Sequence, residues 1–250
     1  MNIIKFIRLI IRKSIPVFLF LSMLPAINSQ NISVQQRGLI GEENLRAIIN
    51  LKPYSIGVVG FDNRYEGVKG SPRLYDTLVT SFLNVRGQDY YIQLKSDIDL
   101  VNNTLLFMHP RSGSLTQIPS EIVNEVVYNN DGKELTYRTF EGSILDRDLK
   151  EKKFCQLLME NPVMFLKLPV KKMVEASYKG AYSPDRRYDE FITFNRYYIM
   201  GSDSIFHQLQ LSKKSLLKLF PNRKSLIEEG FGNANKGTDE EIIISILEKF

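Results

Sequence analysis

Glu121-Ile-Val-Asn-Glu-Val-Val-Tyr-Asn-Asn-Asp-Gly-Lys-Glu-Leu-Thr-Tyr-Arg-Thr-Phe140 is the stretch that decides the fold class. Two runs rich in β-branched and aromatic residues flank Asn129-Asn-Asp-Gly132, and Asp-Gly between such runs is a strong short-range hairpin signal. On the return run Leu135 and Tyr137 face one way and Glu134, Thr136 and Arg138 the other, the period-two alternation of a half-buried strand. An antiparallel pair is predicted here.

The pattern extends in both directions. Upstream, Tyr91-Ile-Gln-Leu-Lys95 alternates, and Thr104-Leu-Leu-Phe-Met-His109 stops at the turn Pro110-Arg-Ser-Gly113. Gly57, Gly60, Gly67 and Gly70 punctuate short apolar runs, and Glu42 to Ile49 has the composition of a short helix ahead of Pro53. Downstream, Met164, Leu166, Leu168 and Val170 share one face of a strand, and Pro169 within it predicts an edge position or a break. Strands are predicted over 188–194, 196–200 and 205–211, with a turn at Gly201-Ser-Asp-Ser204. The remainder is helical. Ser212 can cap a helix ended by Pro221, and Asn222 can cap a second that stops at Gly230. Thr238-Asp-Glu-Glu241 has capping-box spacing, and Ile242, Ile243, Ile246, Leu247 and Phe250 then share a face that Ile244 leaves.

The predicted class is therefore mainly β: antiparallel sheets in one or two subdomains with a C-terminal helical tail, α+β overall. The expected organisation is a leader over 1–29, a lead-in over 30–53, β blocks over 54–150 and 151–211, and a tail over 212–250 packed on the body.

The first residues carry Lys5, Arg8, Arg12 and Lys13, then an apolar run from Ile15 to Leu24, then small and polar residues to Gln30. Cationic, apolar and processing segments in that order are those of a secretory signal. The apolar run of ten residues falls short of the ~20 that span a bilayer. A retained anchor is the alternative, and it would put those four cations inside the span. Cleavage is expected after Ser29, with Ala26 as the other position. The chain has net charge +5, and subtracting the four leader cations leaves +1. A near-neutral body without a basic stripe argues against nucleic acid as a partner. Cys155 is the single cysteine, which excludes an intrachain disulfide and a lipidated cysteine after the apolar run.

Catalytic and metal motifs are absent from the sequence. There is no His-Glu-x-x-His, no Cys-x-x-Cys and no Gly-x-Ser-x-Gly. In Gly67-Val-Lys-Gly-Ser71 the lysine precedes the glycine, the reverse of a phosphate loop. Asp97 to Asn103 lacks the glycine and glutamate of a calcium loop and reads as a solvated turn. His207 shares a face with Ile205, Leu209 and Leu211, and His109 ends a strand; structural roles are expected for both. No catalytic residue, metal ligand or cofactor is assigned.

The densest polar-aromatic segment is Tyr182-Ser-Pro-Asp-Arg-Arg-Tyr-Asp-Glu-Phe191. Tyrosine and arginine combine contact area with directional hydrogen bonds. The candidate partner-binding residues are Tyr182, Arg186, Arg187, Tyr188, Asp189 and Tyr197. Tyr65-Glu-Gly-Val-Lys-Gly-Ser-Pro72, Tyr197-Tyr-Ile-Met200 before a turn, and Lys213-Lys-Ser-Leu-Leu-Lys-Leu-Phe-Pro221 resemble exported proteins of unknown function common in Bacteroidota, over roughly residues 60 to 230. The resemblance implies export, a β-rich body and a helical tail; it implies no catalytic residue.

The expected function is that of a periplasmic, outer-membrane-associated or secreted binding or structural protein without enzymatic activity. Its expected partner is another envelope protein or a polysaccharide, and no membrane span is expected after processing. Two alternatives are a carbohydrate-active enzyme with paired carboxylates near Asp189, and an interaction subunit of an envelope complex. Intact-mass measurement of the protein from its native host should give a chain starting near Gln30; a species starting at Met1 in the inner membrane would refute the leader.

Overall fold

A computed structural model describes residues 38–59, 65–130, 132–176, 188–233 and 237–250. The predicted leader and the start of the lead-in lie outside these residues, as do Tyr182, Arg186 and Arg187. The helices are α1 (Gly41–Ile49), α2 (Gly142–Leu145), α3 (Lys213–Leu219), α4 (Lys224–Gly232) and α5 (Asp239–Leu247). The strands are β1 (Gly57–Val58), β2 (Val79–Val85), β3 (Ile92–Asp99), β4 (Thr104–Met108), β5 (Leu115–Pro119), β6 (Val123–Asn130), β7 (Lys133–Phe140), β8 (Lys153–Met159), β9 (Phe165–Val174), β10 (Glu190–Met200) and β11 (Phe206–Leu209).

Among the described residues these eleven strands form one antiparallel sheet, ordered β1-β5-β4-β3-β2-β6-β7-β8-β9-β10-β11. The hairpin read at Asn129 to Gly132 is β6–β7, with Asn130 opposite Lys133. Gly132 has φ +82°, a value that favours glycine, and its N–H donates to the Asn129 side chain at 3.0 Å. One meander, β2 to β5, runs outward from the centre; another, β6 to β11, runs the other way. The β2–β6 pairing joins them. Pairing of β7 with β8 continues the sheet from one predicted β block into the next. No helix among the described residues is long and apolar enough to cross a membrane.

The sheet cannot be flat. Residues 65–76 lie between β1 and β2 and bind two strands far apart in the sheet order, β10 and β3. The Lys69 N–H donates to the Asp189 carbonyl at 2.8 Å, and the Phe191 N–H donates to the Lys69 carbonyl at 2.9 Å, on the side of β10 away from β9. A few residues on, the Leu74 N–H donates to the Ile98 carbonyl at 2.8 Å, and the Leu100 N–H donates to the Pro72 carbonyl at 3.0 Å. This part extends the lane of β2, since β4 occupies the other side of β3. In a flat sheet those lanes would be six spacings apart, about 29 Å. Five residues reach at most about 18 Å. The sheet therefore curls until the short segment can lace it.

The curl creates distinct packing environments. The inner face of β2 to β8 holds Leu83, Ile92, Ile98, Leu105, Phe107, Ile118, Val126 and Phe154, with Ile48 of α1 and Leu51 packed on it. β4 pairs with β3 only from Ser96 onward, and Asn44 of α1 substitutes for the missing strand. Its carboxamide accepts from the Gln93 N–H and donates to the Gln93 carbonyl, both at 2.7 Å. Strands β8 to β10 are covered on both faces. Met159, Phe165 and Ile199 pack under α3, α4 and α5, while Cys155, Leu166, Leu168 and Tyr198 pack with Leu145 of α2 on the reverse side. Coverage on both faces explains why Phe154 to Met159 does not alternate cleanly.

Several local expectations are corrected. β9 is interior, between β8 and β10, and not an edge strand, but the break that Pro169 predicted is present. The proline is tolerated because the β8–β9 ladder stops at Lys167, so its side of β9 lacks a ladder partner there. The segments 188–194 and 196–200 merge into the single strand β10. Asp97 to Asn103 is no solvated turn: Asp97, Asp99 and Asn103 are buried, and Asp99 accepts from the Val101 and Asn102 N–H groups.

In the tail, the Ser212 cap and the Thr238–Glu241 capping box form as predicted. Residues Pro221–Arg223 form a 3-10 turn, and α4 begins at Lys224 without a side-chain cap. Ile244, read as off the inner face, is partly buried against the same cluster, because α4 as well as the sheet packs on α5. Gly230 does not stop α4, which continues to Gly232. It is a contact point: a Cβ there would lie 2.3 Å from Cγ1 of buried Ile246 on α5. Alanine at an exposed helical glycine gains up to about 1 kcal/mol. Gly230→Ala should instead lose about 1–3 kcal/mol through overpacking, read from urea unfolding midpoints; a gain would show that the helices are not in close contact.

Candidate functional site

Of the six candidate residues, Tyr188, Asp189 and Tyr197 are described, and the structure separates them. Tyr188 is 65% exposed, two residues ahead of β10. The Asp189 carboxylate accepts from the Ala176 N–H at 2.7 Å, tying together the two ends of the β9–β10 connection. Tyr197 lies seven residues beyond Glu190, about 23 Å along the strand. Its ring stacks on Phe165 at 5.9 Å, and its hydroxyl donates to Glu240 of α5 at 2.7 Å. Lys167 also reaches Glu240, at 2.9 Å. Burial and the Glu240 carboxylate push the Tyr197 hydroxyl pKa up, keeping it a proton donor. Tyr197 thus joins α5 to the sheet.

The two histidines occupy separate turns with complementary shortfalls. His109, just after β4, has its Nδ1 3.1 Å from the Ser112 hydroxyl, while its buried Nε2 has no hydrogen-bond partner. His207 of β11 has an acid, with Nε2 2.9 Å from Asp203. No hydrogen bond joins its ring to a serine hydroxyl among the described residues. Serine-based catalysis needs hydroxyl, base and orienting acid in one place; these two turns divide them. Among the described residues no three or more histidine, cysteine, aspartate or glutamate side chains converge as metal ligands. Cys155 is buried, and burial pushes its thiol pKa up, away from the reactive thiolate.

A buried polar cluster lies where the lacing segment meets the inner face. The Ser81 and Ser96 hydroxyls are 2.6 Å apart, and Ser96 is 3.2 Å from the Tyr128 hydroxyl. Tyr128 packs edge-on against Tyr75 at 5.0 Å and Tyr137 at 5.8 Å. Asp97 Oδ1 accepts from the Tyr75 N–H at 3.1 Å and the Ile98 N–H at 2.8 Å, whereas its buried Oδ2 has no hydrogen-bond partner. Burial pushes the Asp97 carboxyl pKa up to about 6, against the lowering effect of those two N–H groups and Arg73. Burial likewise raises Tyr128 and Tyr137, so both remain neutral hydrogen-bonding groups. The cluster attaches residue 75 to the sheet.

A larger space for a ligand lies elsewhere among the described residues. The β8–β9 turn, the β10–β11 turn and the tail line a half-open cavity of about 500 Å³. The Met200 N–H donates to the Met164 carbonyl at 2.9 Å, holding the two turns side by side. Val163, Met164, Met200, Leu219, Phe220 and Phe250 supply apolar walls. Phe220 and Phe250 meet edge to face at 5.0 Å, and the Arg223 guanidinium lies 5.5 Å from the Phe250 ring centroid. Glu160 is on the rim, but its carboxylate pairs with Arg138 at 2.8 Å. Arg223 forms no ion pair with a described residue. Phe220 and Phe250 were readable as helix-face residues and Met164 as a strand-face residue; Arg223 carried no local signal. A second, polar cleft of about 300 Å³ is lined by Asn84, Tyr91, Asn124, Glu125, Arg138, Thr139 and Lys152. Its central carboxylate, Glu125, is engaged by Tyr91 at 2.6 Å and by Arg138 at 3.0 Å.

No family model, curated protein or solved structure matches this chain.

The Asp97 pKa has a measurable consequence. Its folded-state value lies above the ~3.9 of an unfolded aspartate, so the folded chain binds the proton more tightly. That contribution to stability is complete below about pH 4 and is lost as the pH rises through about 6. Asparagine mimics the protonated carboxyl. Asp97→Asn should match wild type near pH 4 and exceed it at pH 7.5, by on the order of 1–3 kcal/mol in urea unfolding. A difference that does not change with pH would contradict the assignment.

Proposed function

We propose that this chain is an exported, non-enzymatic binding protein of the cell envelope, with its ligand seated in the cavity between the two turns and the helical tail. That cavity is the observation that carries the reading. Its volume falls within the roughly 300–1,000 Å³ of small-molecule sites, and its lining mixes apolar side chains with the polar or charged Glu160, Asn161, Ser202, Asn222 and Arg223. The division of His–Ser and His–Asp pairs between two turns favours binding over hydrolysis, as does the use of Asp189 as a backbone acceptor. Export rests on the cationic-then-apolar order of residues 1–29 and on the resemblance carried by Tyr65–Pro72 and Lys213–Pro221.

Native mass spectrometry of the protein purified from its host tests the reading. Wild type should carry a small-molecule mass increment that Val163→Trp, which fills the cavity, loses while retaining a cooperative melt. An increment retained by the filled variant would place the ligand elsewhere. A host-purified wild type without any increment would count against a binding role.

A further inference from the structure

We propose that the ligand of this cavity is an amphipathic carboxylate, an anionic head on an apolar body, with the head held by Arg223. The proposal rests on the binding reading above and adds the ligand's chemistry. The walls define the body. Val163, Leu219 and Phe220 offer no charge, and the thioethers of Met164 and Met200 adapt to irregular apolar shapes. Asn161, Ser202 and Asn222 complete the lining, so a fully polar ligand would match only part of it and leave the apolar side chains without partners.

The rim defines the head. Its two ionisable side chains are in different states. Glu160 is committed to Arg138, so its charge is compensated within the protein. Arg223 forms no ion pair with a described residue and rests against the Phe250 ring. The contact with Phe250 sets the position of the guanidinium at the cavity mouth. It leaves the N–H groups free to bind a carboxylate in the two-pronged geometry that arginine favours. A cationic head would meet the like charge of Arg223, and a neutral head would forgo the charge-assisted bonds.

The protein provides its own reporters. Met164 and Met200 line the cavity, while Met108 on β4 and Met173 on β9 are exposed elsewhere. Protein labelled with 13C at the methionine methyl groups is titrated, below micelle concentrations, with dodecanoate, dodecanol and dodecyltrimethylammonium. Dodecanoate should shift Met164 and Met200 saturably, leave Met108 and Met173 in place, and bind at least about tenfold more tightly than dodecanol. Arg223 is at the surface, so Arg223→Ala should keep the fold, seen in unchanged Met108 and Met173 signals, while reducing dodecanoate to the affinity of dodecanol. If dodecanol or dodecyltrimethylammonium shifts Met164 and Met200 as tightly as dodecanoate does, the anionic head is refuted and the cavity remains a binding site. If none of the three moves those methyl groups, the amphiphile is refuted, and the binding role then stands or falls on the host-purified mass increment.

Discussion

The structure depends on a short piece of chain joining two distant strands. Between Lys69 and Leu74 the backbone passes from a bond with the start of β10 to a bond with the end of β3. Chain length makes this a hard constraint, because the segment is too short to bridge a flat sheet of this order. Curling gives the meanders a common inner face on which Phe154 of β8 joins Phe107 of β4 in one cluster. The lacing is reinforced by side chains: Tyr65 meets Phe191 edge-on at 5.0 Å, and Asp76 lies 3.6 Å from Lys171 of β9. The buried Tyr128 and Tyr137 and the partly buried Tyr75 fill the space beneath it.

The other end of β10 is governed by packing on α5. Ile243, Ile246 and Leu247 are essentially inaccessible to solvent, and burying each contributes roughly 1.5–3 kcal/mol before unfolded-state compaction is allowed for. The contact of Gly230 with Ile246 brings α4 close to α5, and the Tyr197–Glu240–Lys167 group attaches α5 to the sheet through polar bonds. Phe250, just beyond this helix, becomes a wall of the cavity. The tail is therefore both a cover for β8 to β10 and part of the proposed binding site. Tyr188 lies just ahead of β10, at the opposite end of that strand from Tyr197, so Tyr188 and Tyr197 cannot act as one surface.

Much of the architecture was legible from local chemistry. The β6–β7 hairpin, the Ser212 cap, the Thr238–Glu241 capping box and the face of Met164, Leu166, Leu168 and Val170 depend on residues a few positions apart, and each formed where its spacing placed it. The misreadings share one cause. Gly230 and Asp97 read, in isolation, as what they usually are, a helix stop and a solvated acid. Each is instead explained by a nonlocal feature: the approach of Ile246, and the covering segment around Tyr75.

The candidate site divides along the same line. Composition and spacing by themselves determined a mainly β chain with a helical tail, because propensity, alternation and capping act within a few residues. They also identified the tyrosines and arginines near β10 as a dense polar-aromatic segment. Tertiary structure alone decided that Tyr197 bonds to Glu240, 43 residues away, and that Met164, Met200, Phe220 and Phe250 face one cavity with Arg223 at its mouth. Those residues come from separate turns and helices, and their meeting depends on strand order, curl and helix packing. A local pattern does not specify these, because they arise from burying apolar surface across the whole sheet.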